Sequence, residues 1–323
     1  MRAARCTSYE GLDAITVEDV PDPVVHAGEV RVAVRAAAIN FPDLLVLENR
    51  YQVSIPVPFT PGSELAGVVE EVADDVAGLV PGDRVFGAAF VGAFAEQAVV
   101  PAASLTRIPA GVDFVAASAF GVAHGTAYHA LRSVAEVTPG EWVVVLGAAG
   151  GVGLAAVELA HHFGARVLAA AAGKERLAVC EDRGAEALVD YSSEDLKTRV
   201  KELTDGGADV VLDPVGGPYA EAALRAMRRR GRFVTIGFAS GEIPRIPLNL
   251  VLLKGVTIMG FEMRTFMVHE PELFRRDREE LLELVASGQV HPHVSAVFPL
   301  HDLQDALRAV AERRTTGKVV LEI

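Results

Sequence analysis

The apolar run Trp142-Val143-Val144-Val145-Leu146 passes without a break into Gly147-Ala148-Ala149-Gly150-Gly151-Val152-Gly153, and then into Leu154-Ala155-Ala156-Val157-Glu158-Leu159-Ala160. That order predicts a buried strand, a glycine-rich turn and a helix. Glycine removes the side chains that would hold a pyrophosphate away from the backbone, and the free amides and positive end of the helix stabilise its charge. The chemistry of this segment is dinucleotide binding, with Ala149, Gly150, Gly151 and Val152 as the candidate contacts. The spacing is Gly-x-x-Gly-x-x-Gly rather than Gly-x-Gly-x-x-Gly, so the flanking strand and helix carry the assignment.

A second group of residues bears on which dinucleotide. An enzyme that uses NAD commonly sets an acid against the ribose 2′-hydroxyl about 20 residues beyond the glycines, at the end of the next strand. Here that stretch reads Val167-Leu168-Ala169-Ala170-Ala171-Ala172-Gly173-Lys174, without an acid and ending on a cation. Lys174 can pair with a 2′-phosphate, which favours NADPH over NADH. The competing reading is a solvated lysine in the first turn of a helix, where the dipole disfavours it. Tyr191, after the third strand, is a candidate to close the same pocket with its hydroxyl.

These residues need a scaffold, and 323 residues are enough for two domains. Up to about residue 120, short β-branched runs at Ile15–Val17, Glu29–Ala36, Leu65–Val72, Arg84–Phe86 and Phe94–Val99 alternate with turn signals such as Pro61-Gly62 and Pro81-Gly82-Asp83. A small antiparallel barrel is predicted there. From Trp142 onward, strands at Trp142–Leu146, Arg166–Ala170, Ala187–Val189, Asp209–Leu212, Gly231–Ile236 and Thr257–Gly260 alternate with helices such as Gly151–Phe163 and Ala220–Arg230. The expected fold class is α/β, a doubly wound parallel sheet. The tail, with a strand at Ser295–Pro299, a helix and a last strand at Gly317–Ile323, rejoins the first domain. The expected domains are 1–120 plus 296–323 for the barrel and 121–295 for the inserted sheet.

Composition excludes several functions. The balance of 30 Lys plus Arg against 43 Asp plus Glu gives a net charge of -13, which repels nucleic acid and anionic membrane surfaces. Cys6 and Cys180 are too few for a disulfide framework and suit a reducing compartment, so the cytoplasm is the expected address. The first residues show no signal-peptide core, and no apolar stretch has the roughly 20 residues of a membrane helix. His161-His162 and His291-Pro292-His293 read as structural, and Arg228-Arg229-Arg230-Gly231-Arg232 reads as a solvated helix end where cations complement the dipole.

Across both domains the chain resembles the zinc-independent quinone oxidoreductases, zeta-crystallin-like members of the medium-chain dehydrogenase/reductase superfamily. The markers are Ala38-Ile39-Asn40-Phe41-Pro42-Asp43, Pro61-Gly62-Ser63-Glu64-Leu65-Ala66-Gly67, Pro81-Gly82-Asp83-Arg84-Val85, Gly125-Thr126-Ala127-Tyr128, the glycine turn, Asp213-Pro214-Val215-Gly216-Gly217 and Gly317-Lys318-Val319-Val320. The resemblance implies a Rossmann sheet inserted into a GroES-like barrel. Zinc-dependent relatives carry Cys where this chain has Asn40 and His where it has Ser63, so no metal is expected. It further implies Asn40 as the group that orients the substrate and Tyr51 as a lining residue able to pass a proton. Thr126, Gly237, Phe238, Phe261 and Lys318 are the implied further cofactor contacts.

Without a metal the substrate must already be electron-poor, which fits a quinone or another conjugated electrophile taking hydride from NADPH. Enals, enones or enoyl thioesters reduced by the same mechanism, and a non-catalytic NADPH-binding protein, are the alternatives. Relatives commonly dimerise along a sheet edge, and Val256-Thr257-Ile258-Met259-Gly260 offers one, so a homodimer is expected. Sedimentation that finds only monomer at micromolar concentration would remove that expectation.

Overall fold

The computed structural model describes residues 1–323 as two compact units, Met1–Val122 with His291–Ile323, and Ala123–Val290. In the first unit β1 (Arg2–Cys6) and β2 (Ile15–Asp19) form an antiparallel ribbon. The main sheet begins with β3 (Glu29–Ile39), β4 (Glu64–Val72), β5 (Arg84–Ala88), β6 (Gln97–Pro101) and β7 (Leu105–Arg107). The long strand β3 organises it, pairing with β6 through residues 29–33 and with β4 through residues 30–37. Two register shifts in the β3–β4 ladder, at Arg31/Val32 and Val34/Ala36, are bulges that bend the sheet. Val30, Val32 and Val34 alternate inward and pack with Leu65, Val69, Val85 and Phe94.

The second unit is a six-stranded sheet with every pair parallel: β8 (Trp142–Leu146), β9 (Arg166–Ala171), β10 (Ala187–Asp190), β11 (Ala208–Asp213), β12 (Met227–Thr235) and β13 (Thr257–Gly260). Its spatial order is β10-β9-β8-β11-β12-β13, so the order reverses beside β8, where ligands of open α/β sheets bind. All five residues of β8 are buried, as helices on both faces require. The chain then returns to the first unit with β14 (Val294–Pro299), β15 (Lys318–Glu322) and, between them, the helix Leu303–Ala311. Strand β15 pairs antiparallel with residues 36–39 of β3. No helix is long and apolar enough to cross a membrane.

Three expectations need correction. The helix read over Ala220–Arg230 spans Pro218–Ala226, and the arginine run lies in β12 instead. Arg is a good helix former, but Met227 is buried and pairs with Ala208, so sheet pairing overrides propensity. Arg228 therefore meets Asp209 and Arg232 meets Glu141, rather than completing a helix end. The strand read from Phe94 starts at Gln97, because Phe94 is buried against Gly62, where a Cβ would lie 2.7 Å from the Phe94 nitrogen. Strands β1 and β7 lie outside the runs that the sequence marks as β.

Candidate active site

In the Ala123–Val290 unit the glycine turn joins β8 to the helix Gly151–His162, whose amino end no side chain caps. Gly147 has φ 59°, and a Cβ on Gly153 would lie 2.2 Å from the Gly147 carbonyl oxygen. Glycine at both positions lets the first turn of the helix close onto the loop and leaves its amides for an anion. At the end of β9, Gly173 turns the chain with φ 93°, and Lys174, exposed, opens the next helix, Lys174–Asp182.

An acid does approach this turn, from the neighbouring strand. Asp190 Oδ1 accepts from the Gly173 amide at 3.2 Å and from the Ser192 amide and hydroxyl, and these bonds hold its carboxyl below the usual range. Through Oδ1 it ties the Gly173 turn that precedes Lys174 to the residues after β10. The Tyr191 ring packs on Tyr219 with centroids 4.1 Å apart, a partner that the sequence reading missed. Thr126 is half-buried on the helix Gly121–His129, and Gly237 and exposed Phe238 follow β12. Phe261 is buried, its ring packed with those of His129 and Phe266.

In the other unit, the end of β3 and the starts of β4 and β15 bring Asn40, Ser63, Glu64 and Lys318 together. Gly317 sets the approach: its φ is 73°, and a Cβ there would lie 2.4 Å from the His293 carbonyl oxygen. Lys318 is buried, and its ammonium donates to Ile39 O at 3.0 Å, Asn40 Oδ1 at 2.5 Å and Glu64 Oε2 at 3.4 Å. Three donors meet three acceptors, so the ammonium is committed within the protein rather than solvated. Asn40 Nδ2 donates to Glu64 Oε2 at 3.1 Å and lies 3.4 Å from Ser63 Oγ. Glu64 Oε1 accepts from Val122 N at 2.8 Å.

Asp43 completes the cluster. It sits in the first turn of the helix Phe41–Leu47, where its Oδ2 accepts from the Asn40 amide at 2.7 Å, with Ser63 close by. Burial pushes its carboxyl up to about 6; Ser63, the Asn40 amide and Lys318 pull it down and Glu64 adds to the rise. Asn40, read as the residue that orients the substrate, and Lys318, read as a cofactor contact, thus lie against each other, while Tyr51 packs its ring toward Phe90. Asp43, Ser63 and Glu64 were named from sequence only as family markers, with no role in the site, although Asn-x-x-Asp before an apolar run is a capping signal.

Comparison with known proteins defines the family. Residues 26–110 match the alcohol dehydrogenase GroES-like domain and residues 151–287 the zinc-binding dehydrogenase domain. The quinone oxidoreductase-like protein 2 homolog of Nematostella vectensis is 41% identical over 99% of this chain and 88% of its own length. The chain belongs to the quinone oxidoreductase family of the medium-chain dehydrogenases and reductases. Among solved structures of this family, the quinone oxidoreductase of Thermus thermophilus, described with its complex with NADPH, is 34% identical with a TM-score of 0.88 over 100% of both chains. The Escherichia coli quinone oxidoreductase complexed with NADPH is 27% identical with a TM-score of 0.91, covering 100% of each chain.

The word zinc in the domain description does not carry over to the residues of this quinone oxidoreductase relative. A catalytic zinc takes about three N, S or O ligands from the protein. Here the oxygens of Asn40 and Glu64 that could serve already bind the Lys318 ammonium, a cation without a lone pair. No cluster of three or more His, Cys, Asp or Glu side chains is placed to hold a metal.

Proposed function

We propose that this family member is a zinc-free reductase that passes a hydride from NADPH to a quinone. The observation that carries the reading is the ammonium of Lys318 between Asn40 and Glu64, which fills with a fixed organic cation the place where a Lewis acid would polarise a carbonyl. A substrate handled by such a site has to accept hydride through its own delocalisation, as quinones and, by the same logic, enals and enones do. When bound, NADPH supplies the hydride. The amides at the amino end of Gly151–His162 are suited to its pyrophosphate, and the exposed Lys174 to its 2′-phosphate. The relatives whose structures are complexes with NADPH support the same choice.

The test follows the near-ultraviolet absorbance of the reduced nicotinamide with NADPH or NADH, against a para-quinone, an enal and an enone. NADPH should be preferred and a chelator should have no effect. Replacing Lys174 by Ala should raise KM for NADPH about tenfold, the scale of one charge-assisted bond at an exposed site, and leave KM for NADH unchanged. Equal use of the two nucleotides by the unaltered chain would sink the role of Lys174. Tight NADPH binding without turnover of any acceptor would sink the reductase reading.

A further inference from the structure

An asparagine side chain carries a donor and an acceptor on one planar group, so what it offers a ligand depends on which of them its neighbours leave facing it. At Asn40 two charges of opposite sign decide. The Lys318 ammonium has donors only, and it meets Asn40 Oδ1 at 2.5 Å. The Glu64 carboxylate has acceptors only, and its Oε2 meets Asn40 Nδ2 at 3.1 Å. Turning the amide over would set its NH2 against the ammonium and its carbonyl against the carboxylate, two repulsions in place of two charge-assisted bonds. Neither charge is free to swing away. Lys318 is also held by Ile39 O at 3.0 Å and Glu64 by the Val122 amide at 2.8 Å, and both side chains are buried, 3.4 Å apart.

We propose that Lys318 and Glu64 are positioning residues that lock the Asn40 amide with an N–H toward the substrate, making Asn40 a fixed donor to the substrate carbonyl oxygen. The proposal rests on the reductase reading, and it names the group that meets the charge growing on that oxygen as hydride arrives. Of the two hydrogens on Nδ2, Glu64 takes one. The other has Ser63 Oγ at 3.4 Å and Ala38 O at 3.5 Å, both longer than an ordinary N–H···O bond. Among the nitrogen donors of the cluster it is the weakly used one, because the three on Lys318 go to Ile39, Asn40 and Glu64. Ser63 is half-buried and Phe41 exposed, whereas Lys318 and Glu64 are buried, so the Ser63 side of the amide is the side open to a substrate.

The ammonium does more than orient. A cation on the amide oxygen draws electron density from the nitrogen and strengthens its N–H as a donor. No bond to that nitrogen breaks; the role is electrostatic, and it is worth most in a site sheltered from water. A buried ion pair adds little stability over apolar side chains of the same size, so a pair at this depth serves to specify an arrangement. The arrangement it specifies here is the face of Asn40.

The chain has three asparagines, Asn40, Asn49 and Asn249, so protein labelled with nitrogen-15 at the asparagine side chains gives three NH2 pairs by NMR, and the pair lost in Asn40→Asp belongs to Asn40. With NADP+ and a para-quinone bound there is no hydride to transfer, and one hydrogen of the Asn40 pair should shift more than the other. That measurement on the unaltered chain tests the proposal without any change to the ion pair. Lys318→Met combined with Glu64→Gln removes both charges and leaves neither uncompensated; it should lose the quinone-induced shift, lower kcat with the quinone about tenfold and leave KM for NADPH unchanged. Asn40→Asp keeps an acceptor for Lys318 but has no donor, and should lower kcat about 100-fold. An Asn40 pair that does not respond to the quinone overturns the proposal, as does a double variant that keeps both the shift and full kcat. If the unaltered chain shows the shift yet oxidises NADPH with no acceptor, the reductase reading has failed and the role of Asn40 falls with it, a result distinct from full turnover in the double variant, which refutes the lock alone.

Discussion

Each unit of the molecule buries a carboxylate among polar side chains, and the two are supplied differently. In Ala123–Val290, Asp277 accepts from His129 Nδ1 at 2.9 Å, from Ser133 Oγ at 2.6 Å and from Arg276 at 2.6 Å. Burial alone would raise its carboxyl, but the donors His129, Ser133 and Arg276 outweigh that and hold it below the usual range. In the barrel unit Asp43 is also buried, yet it competes with Glu64 for one lysine, and its carboxyl moves the other way. Both side chains are shielded from solvent, but Asp43 lies deeper in the protein, so stronger desolvation together with a poorer supply of donors sets the opposite sign. The Asp277 network fastens the helix Pro271–Ala286 to His129 and Ser133, with the His129 ring packed among Phe261, Phe266 and Phe274. It is a lock, whereas the Asp43 network leaves room for a proton to come and go.

The largest expected effect breaks the lock. Asp277→Ala leaves His129, Ser133 and Arg276 without their acceptor and should cost about 3 to 5 kcal/mol of unfolding free energy at neutral pH, as measured in urea. Because the folded carboxyl is depressed, its contribution is present above the unfolded value and fades as the pH falls through the lower folded one. A loss below about 1 kcal/mol would show that the network is dispensable and would end the contrast between the units.

Asp43 should behave in the opposite sense. Its folded carboxyl binds a proton more tightly than the unfolded one, so stability should fall as the pH climbs from 3.8 toward about 6. A shift of that size corresponds to about 3 kcal/mol. Asp43→Asn keeps an acceptor for the Asn40 amide and removes the titration, so the variant should gain on the unaltered chain as the pH rises through that window. Denaturation at a series of pH values decides it: parallel curves for the two proteins would mean that Asp43 is ionised throughout.

The sequence makes one of these units far easier to read than the other, for physical reasons. Strands β8, β9 and β11 are parallel and buried on both faces, so they stand out as apolar runs, and the glycines between β8 and its helix declare the turn by themselves. Asn40 and Lys318 were legible through the family pattern, but their meeting was not. Residues 318 and 64 are 254 positions apart and come together because β3 pairs Ile39 with Val319 and Ala37 with Leu65. No local spacing encodes that register. The capping residue Asp43 carried a local signal, yet its proximity to Ser63 depends on the same strand pairing. The arginine run was misread because propensity was the only local evidence, and the pairing of β12 with β11 decided against it.

That run supplies the smallest and most discriminating prediction. Arg228 makes the same type of bond as Arg276 does, two contacts to Asp209 at 3.0 and 3.2 Å and one to Thr204 O at 2.8 Å. Its side chain is 38% exposed and that of Asp209 22%, however, whereas Asp277 is fully buried. Water screens the first pair and can solvate Asp209 once Arg228 is gone, so Arg228→Ala should cost only about 0.5 to 1 kcal/mol. In Asp277→Ala the orphaned His129 ring is itself buried and has no such recourse, so the larger loss is expected there. A loss for Arg228→Ala as large as that for Asp277→Ala would mean that the arginine anchors the start of β12 through the Thr204 carbonyl, and that donor count rather than depth sets the strength of these networks.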